Sequence, residues 1–179
     1  IWYEAVLKWR QNYVMGATLP GCPLFGVGRT QNISWSVTYL KGDTSDYFVE
    51  DCRPGGASGW QYRRENNWID FSLRTETIRR KDNEPVEIPI YYNELGTLEC
   101  DPDSSGPGLY LSLAWAGSKK GSGQSIASWL RLLDCADVRQ AMFAVRKTPQ
   151  PTLNWIFADQ EGHIGRQASG WIPRRQSGQ

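Results

Sequence analysis

The residue types that most often carry chemistry are few in this 179-residue sequence: four cysteines and one histidine. Cys22, Cys52, Cys100 and Cys135 lie at long, irregular intervals with no CxxC pair, and His163 is the only imidazole. A structural zinc site needs four nitrogen or sulfur ligands at short spacings, so this pattern does not point to one. Four cysteines allow three disulfide pairings and the spacing chooses none; buried free thiols acting as small apolar side chains are the simpler expectation. A lone histidine following a turn also gives no Ser-His-Asp arrangement, and His163 is expected to be structural or exposed. Asp43 and Asp46 are two carboxylates three residues apart beside Ser45. Oxygen donors in a tight loop suit a hard cation, but two carboxylates are a fragment of such a site, and a solvated acidic turn or helix cap fits equally.

The elements that would position such residues are mostly strands. Asn32 to Tyr39 alternates apolar and polar side chains, as a half-buried strand does, and Tyr47-Phe48-Val49 begins another. Trp2 to Trp9 fits either a strand or a short helix. Gly16 to Pro23 is dense in Gly and Pro and reads as loop, as do Pro54 to Gly59 and Asp101 to Gly108. Thr75 to Arg80 and Val86 to Tyr92 flank Lys81-Asp82-Asn83-Glu84, which predicts a hairpin with a four-residue polar turn. Helices come late. Gln124 to Leu133 carries Ile126, Trp129, Leu130 and Leu133 at helical spacing. Asp134 or Asp137 can cap a second helix with Val138, Met142 and Val145 along one face, which Pro149 and Pro151 stop. Leu153 to Ala158 is then a strand, Asp159 to Gly162 a turn, and His163 to Gln167 the return strand. Arg174 to Gln179 reads as a tail or a truncated continuation.

Composition narrows the class. Hydrophobic residues make up 40% and charged residues 22%, an ordinary globular balance. A net charge of +1 gives no general attraction to nucleic acid or to an anionic membrane, and no apolar run is long enough to span a bilayer. Nine Trp, eight Tyr and five Phe are a heavy aromatic load, best read as large core side chains. The alternative is a non-catalytic β-rich binding module whose aromatics stack on carbohydrate or peptide. Burial of the tryptophans in packed layers favours the first reading, and a coplanar exposed row the second.

An ordered series of motifs goes further. Met15-Gly16-Ala17-Thr18-Leu19-Pro20-Gly21 is followed by Gly28-Arg29, Ile33-Ser34-Trp35, Thr38, and then Asp43 and Asp46. Later come Pro151-Thr152-Leu153-Asn154-Trp155-Ile156-Phe157-Ala158-Asp159, Gly162-His163-Ile164-Gly165 and Pro173-Arg174-Arg175-Gln176-Ser177-Gly178. In order and spacing this series resembles the large subunit of the penicillin acylase family of N-terminal-nucleophile hydrolases, over the whole of residues 1–179. Thr30 stands where members usually have Asn, Ser36 where they have Gly, and Leu95-Gly96 where many have His-Gly; these departures bear on substrate class more than on fold.

The resemblance implies an α+β fold, part of the four-layer αββα sandwich, β-rich with two late helices. Residues 1–179 would be a single segment of the large-subunit domain, truncated at both ends. It implies hydrolysis of a linear amide, of the β-lactam side-chain or N-acyl homoserine lactone class, to a carboxylic acid and an amine. The expected oxyanion donors are the side-chain amide of Asn154 and the backbone N–H of Tyr39, with Arg175 orienting the nucleophile's amine and Asn154. Asp43, the carbonyl of Ser45 and Asp46 would be ligands of a structural calcium ion, and no organic cofactor is expected. The family's nucleophile is a Ser freed at the start of the large subunit, expected upstream of Ile1, so this chain alone is expected to be inactive. A degenerate member that keeps the scaffold without the chemistry is a further alternative. The expected partners are the small-molecule amide, the small subunit and the rest of the large subunit, in a periplasmic or secreted protein.

Overall fold

A computed structural model describes residues 2–22 and 24–175. Ile1, Pro23 and residues 176–179 lie outside the described residues, and with them one end of the expected loop from Gly16, part of the Pro173-to-Gly178 motif and most of the expected tail. The chain runs through β1 (Tyr3–Trp9), β2 (Asn12–Thr18), β3 (Val27–Arg29) and β4 (Ile33–Tyr39). It continues through β5 (Ser45–Pro54), β6 (Trp60–Arg64), β7 (Asn67–Asp70), β8 (Ser72–Arg80), β9 (Asn83–Tyr92), β10 (Thr97–Leu98), the helical turn α1 (Pro102–Ser105) and β11 (Gly108–Trp115). The last elements are α2 (Gln124–Leu130), a 3-10 turn at Arg131–Asp134, α3 (Val138–Val145), β12 (Leu153–Asp159) and β13 (Ile164–Ser169). Among the described residues two compact units result, one from the segments up to Thr44 and from Ala116 onward and the other Ser45–Trp115.

The first unit is a six-stranded antiparallel sheet ordered β1-β2-β3-β4-β12-β13. Alternation decides its two faces. Val14, Ile33, Trp35, Leu153, Trp155 and Phe157 point to one side, where Leu132, Val138, Ala141 and Val145 from the helical segment cover them. Trp155 is fully buried, edge-on to Trp129 at 5.0 Å between ring centroids and stacked on Phe157 at 6.0 Å. Its indole N–H donates to the Ser169 hydroxyl at 2.9 Å, so the burial leaves no polar group unmet. Two glycines permit close approach. A Cβ on Gly28 would lie 2.7 Å from the Trp35 ring, and one on Gly165 would lie 2.5 Å from Val138 and 2.6 Å from the Met142 sulfur. The first lets an indole lie across β3, and the second lets α3 sit down on β13.

Helix α3 begins at Asp137, whose carboxylate accepts the Gln140 N–H at 2.8 Å. Asp159, at the end of β12, accepts the Val138 N–H at 3.2 Å, so a second carboxylate meets the positive end of the same helix. Asp159 also accepts the His163 N–H at 3.0 Å and contacts its Nδ1 at 3.2 Å, while the imidazole is largely exposed. His163 is therefore both structural and exposed, as expected. Burial pushes the Asp159 carboxyl up, but the Val138 and His163 N–H groups and the imidazole outweigh it and hold it below the usual carboxylate range.

The second unit is a seven-stranded antiparallel sheet, β7-β6-β5-β11-β10-β9-β8. Its core is aromatic: Trp60, Tyr62, Phe71, Tyr91 and Tyr110 pack with Cys52 and Leu98. Glu50 is buried among them and accepts from both terminal nitrogens of Arg64 and from the Asn93 amide at 2.7 Å. Arg64 also donates to Glu94 at 2.7 Å, which accepts the Tyr62 hydroxyl at 2.7 Å. Burial and Glu94 push the Tyr62 hydroxyl up to about 12.

Several expectations change. Residues 2–9 are strand rather than helix, paired with β2 along its length. Gly16 to Thr18 are not loop but the end of β2, because β1 pairs with all three and β3 with Gly16 and Ala17. The β8–β9 hairpin turns on two residues rather than four: Arg80 pairs with Asn83, and Asp82 takes the left-handed conformation at φ 58° that Asp tolerates well. Asp101 to Gly108 holds the capped turn α1 and the first residue of β11. The helix expected to Leu133 ends at Leu130 and tightens into the 3-10 turn. All four cysteines are free thiols; Cys52 and Cys135 are buried as expected, Cys22 is half-buried, and Cys100 is exposed.

Candidate active site

The strand β12 lies between β4 and the edge strand β13 in the first unit's sheet, with Leu153, Trp155 and Phe157 on the helix-covered side. Asn154 therefore points to the opposite face. That face carries the polar side chains of Ser34, Ser36 and Thr38 from β4, and exposed apolar side chains including Val6, Met15, Val27, Ile156 and Ile164.

Asn154 lies opposite Thr38 on β4 and opposite Ala168 on β13. Its carbonyl oxygen accepts a hydrogen bond from the Arg166 guanidinium at 2.5 Å. A guanidinium has only donors, so the atom facing it is the amide oxygen, and the NH₂ group is turned away from Arg166.

Tyr39, the last residue of β4, is paired with Leu153, one register step from Asn154. Leu40 donates its N–H to the Thr152 carbonyl at 3.1 Å, marking a bonded pair. Bonded and non-bonded pairs alternate along an antiparallel ladder, so Tyr39 and Leu153 form a non-bonded pair. The Tyr39 N–H then points away from β12, toward the side where β3 lies. The β3–β4 register covers only Trp35 and Ser34 on β4, so this N–H emerges beyond the end of β3. Tyr39 is 79% exposed.

Arg175 pairs with Asp43 at 3.1 Å. A guanidinium on the Asn154 amide oxygen is that of Arg166, a residue outside the quoted motifs. The signal was present: alternation along Ile164 to Ser169 sets Arg166 opposite Ile156, on the same face as Asn154 and diagonal to it. Ser45 and Asp46 open β5 of the second unit, opposite Trp115 and Ala114. Among the described residues no group of three or more His, Cys, Asp or Glu is disposed to hold a metal. Asp43 is engaged by Arg175, and among the described residues Asp43, Ser45 and Asp46 do not by themselves complete an oxygen shell for a calcium ion.

Thiol chemistry has little support. Burial pushes the Cys52 thiol up to about 12 and the Cys135 thiol up to about 11, well away from a reactive thiolate. The tryptophans answer the binding-module alternative. Trp35, Trp60 and Trp155 are buried, with every indole N–H hydrogen-bonded. The exposed Trp2, Trp9, Trp115 and Trp171 are at or near strand ends. No helix among the described residues is long and apolar enough to cross a membrane.

Comparison with known proteins gives this arrangement its context. The penicillin amidase family profile matches residues 1–179. An acyl-homoserine lactone acylase QuiP from Pseudomonas putida is 32% identical over 166 residues, covering 93% of this chain and 20% of that protein. The penicillin G acylase of Escherichia coli is 27% identical over 165 residues, covering 92% of this chain and 19% of that protein. Among solved structures, a thermostable penicillin G acylase from Alcaligenes faecalis matches with a TM-score of 0.82 at 25% identity, over 99% of this chain and 31% of that one. The fold is thus strand-rich α+β, of the kind found in penicillin acylases. The chain belongs to the penicillin amidase family. It spans about a fifth of the length of the curated relatives it matches.

Proposed function

We propose that this chain supplies the oxyanion-stabilising part of an amidohydrolase that cleaves a linear amide into a carboxylic acid and an amine. The observation that carries the reading is that Asn154 and Tyr39 lie one register step apart on the neighbouring strands β12 and β4. One presents a side-chain NH₂ whose carbonyl oxygen is already taken, and the other a main-chain N–H directed away from β12.

Attack on an amide carbonyl drives negative charge onto its oxygen. Donors fixed before the reaction stabilise that charge without reorganising. An Asn amide suits the role because it donates without adding a titrating charge, and a sheet N–H is held by its strand. The nucleophile in this reading is a serine elsewhere in the protein, whose own α-amino group takes the hydroxyl proton and passes it to the leaving amine. His163, on the hairpin turn with Asp159, takes no part.

The substrate class stays at linear amides of the N-acyl homoserine lactone or β-lactam side-chain type; the names of the relatives support both. The exposed apolar side chains on the Asn154 face support the rest of the large subunit and a small subunit as partners; a periplasmic or secreted location is proposed from the family resemblance alone. Calcium enters only as a structural ion at Asp43, Ser45 and Asp46, completed by oxygens from outside this chain, and no catalytic step passes through it.

The test is Asn154→Ala in the full-length protein, assayed with a chromogenic phenylacetyl amide and a fatty-acyl amide. Loss of one such donor lowers kcat by about two to three orders of magnitude, roughly 2.7–4 kcal/mol of transition-state stabilisation. KM should change much less, because the donor acts on charge that develops during reaction. A folded variant with near-normal kcat removes Asn154 from the site.

A further inference from the structure

We infer that Arg166 is the positioning residue for the Asn154 amide, holding its oxygen so that the NH₂ group alone can face the reacting carbonyl. The inference rests on the oxyanion reading of Asn154 and adds a second residue to it.

An Asn side chain is nearly symmetric in shape and opposite in chemistry at its two ends. The torsion that exchanges them is broad and roughly two-fold, so shape alone sets little preference. In one orientation the amide donates to a developing oxyanion. In the other it presents its own oxygen to that charge and repels it. A neighbour that only donates removes the ambiguity. Arg166 is such a neighbour: its Nη2 lies 2.5 Å from the Asn154 Oδ1. A hydrogen bond from an ionised donor is short and about twice as strong as a neutral one.

The fold brings the two together. Asn154 and Arg166 lie on paired strands, diagonal in the ladder, since Ile156 is opposite Arg166 and Ala168 is opposite Asn154. The long Arg side chain spans that diagonal on the face that Asn154 occupies. On the other face of the same hairpin, Trp155 and Phe157 are locked in the core, which fixes the strand that carries the Asn.

The experiment is a double-mutant cycle in the full-length processed protein, assayed on the chromogenic phenylacetyl and fatty-acyl amides, with thermal melts of every variant. Arg166→Ala should lower kcat about ten- to hundredfold, the range typical of residues that orient a ligating group, with KM changed far less. Arg166→Lys, also a pure donor, should recover much of the loss; Arg166→Met, of similar bulk and without a donor, should not. The double variant Asn154→Ala with Arg166→Ala should be no slower than Asn154→Ala alone, because no amide remains to be held. If Arg166→Ala fails to fold, the Lys and Met pair carries the same comparison. Wild-type kcat in Arg166→Ala beside an impaired Asn154→Ala overturns this inference and leaves the proposed function standing. Losses that multiply in the double variant also overturn it, since Arg166 would then act on something other than Asn154. A fully active Asn154→Ala overturns both.

Discussion

Trp35 and Trp129 donate their indole N–H groups to one acceptor, the carbonyl oxygen of Phe25, each at 2.9 Å. One indole comes from the sheet and the other from α2, so a single carbonyl ties strand, helix and loop together. Replacing either Trp by Phe should cost about 1 kcal/mol through the hydrogen bond, beyond the ring volume lost. Replacing both should cost more than the sum, because only the second change orphans the carbonyl. Urea denaturation of the two single variants and the double reads the difference, and strict additivity would contradict the shared-acceptor account.

In the second unit, Glu50 holds Arg64 and Asn93 with its side chain fully excluded from solvent. Glu50→Ala should destabilise by about 1–3 kcal/mol, since the Asn93 amide and the terminal nitrogens of Arg64 lose their buried acceptor while Arg64 keeps Glu94. Glu50→Gln retains one acceptor and should cost less. The measurement is again chemical denaturation, and a Glu50→Ala variant as stable as wild type would show that solvent replaces the carboxylate without cost.

The depressed Asp159 carboxyl predicts a pH dependence of a definite sign. A carboxyl held lower in the folded state than in the unfolded chain stabilises the fold above its unfolded value. That contribution is lost as pH falls through the folded value. Melting temperature should therefore fall below about pH 4, the ordinary range of an Asp carboxyl. Asp159→Asn, with no charge to lose, should show a shallower acid slope and a lower plateau near neutrality. Parallel slopes in the two proteins would assign the acid sensitivity to other carboxylates.

Asn154→Asp tests sign rather than presence. The carboxylate only accepts, and it would bring negative charge to the place where the oxyanion forms while pairing more strongly with Arg166. It should reduce kcat further than Asn154→Ala does, at unchanged or raised melting temperature. An Asp variant faster than the Ala variant would mean that this side chain does not face the developing charge.

Gly165→Val should loosen α3. A Cβ there would lie 2.5 Å from Val138 and 2.6 Å from the Met142 sulfur, closer than any ordinary contact. Met142 can swing aside but the branched Val138 cannot, so the expected cost is about 1–3 kcal/mol, typical of overpacking. Faster amide exchange in α3 than in the second unit would localise the effect.

The sequence by itself determined which residues face which way in the long elements. Alternation over residues 32–39 set Trp35 on the other face from Ser34 and Ser36, the two-residue period of the strand at 153–158 separated Asn154 from Trp155 and Phe157, and the α3 face was readable from Val138, Met142 and Val145. These are local properties: the two-residue and 3.6-residue periods survive in a single segment. The order of short motifs also carried the family. Only the tertiary structure decided what those residues touch. It joined β12 to β4, extended β2 through Gly16 to Thr18, and made strands of short segments such as Val27–Arg29, whose few residues hold no period to read. It chose Arg166 for the Asn154 amide and Asp43 for Arg175. It left the Tyr39 N–H outside the β12 ladder. Each of these depends on register between segments far apart in the chain, and register is fixed by the partner strand and the packed core rather than by the sequence of one strand.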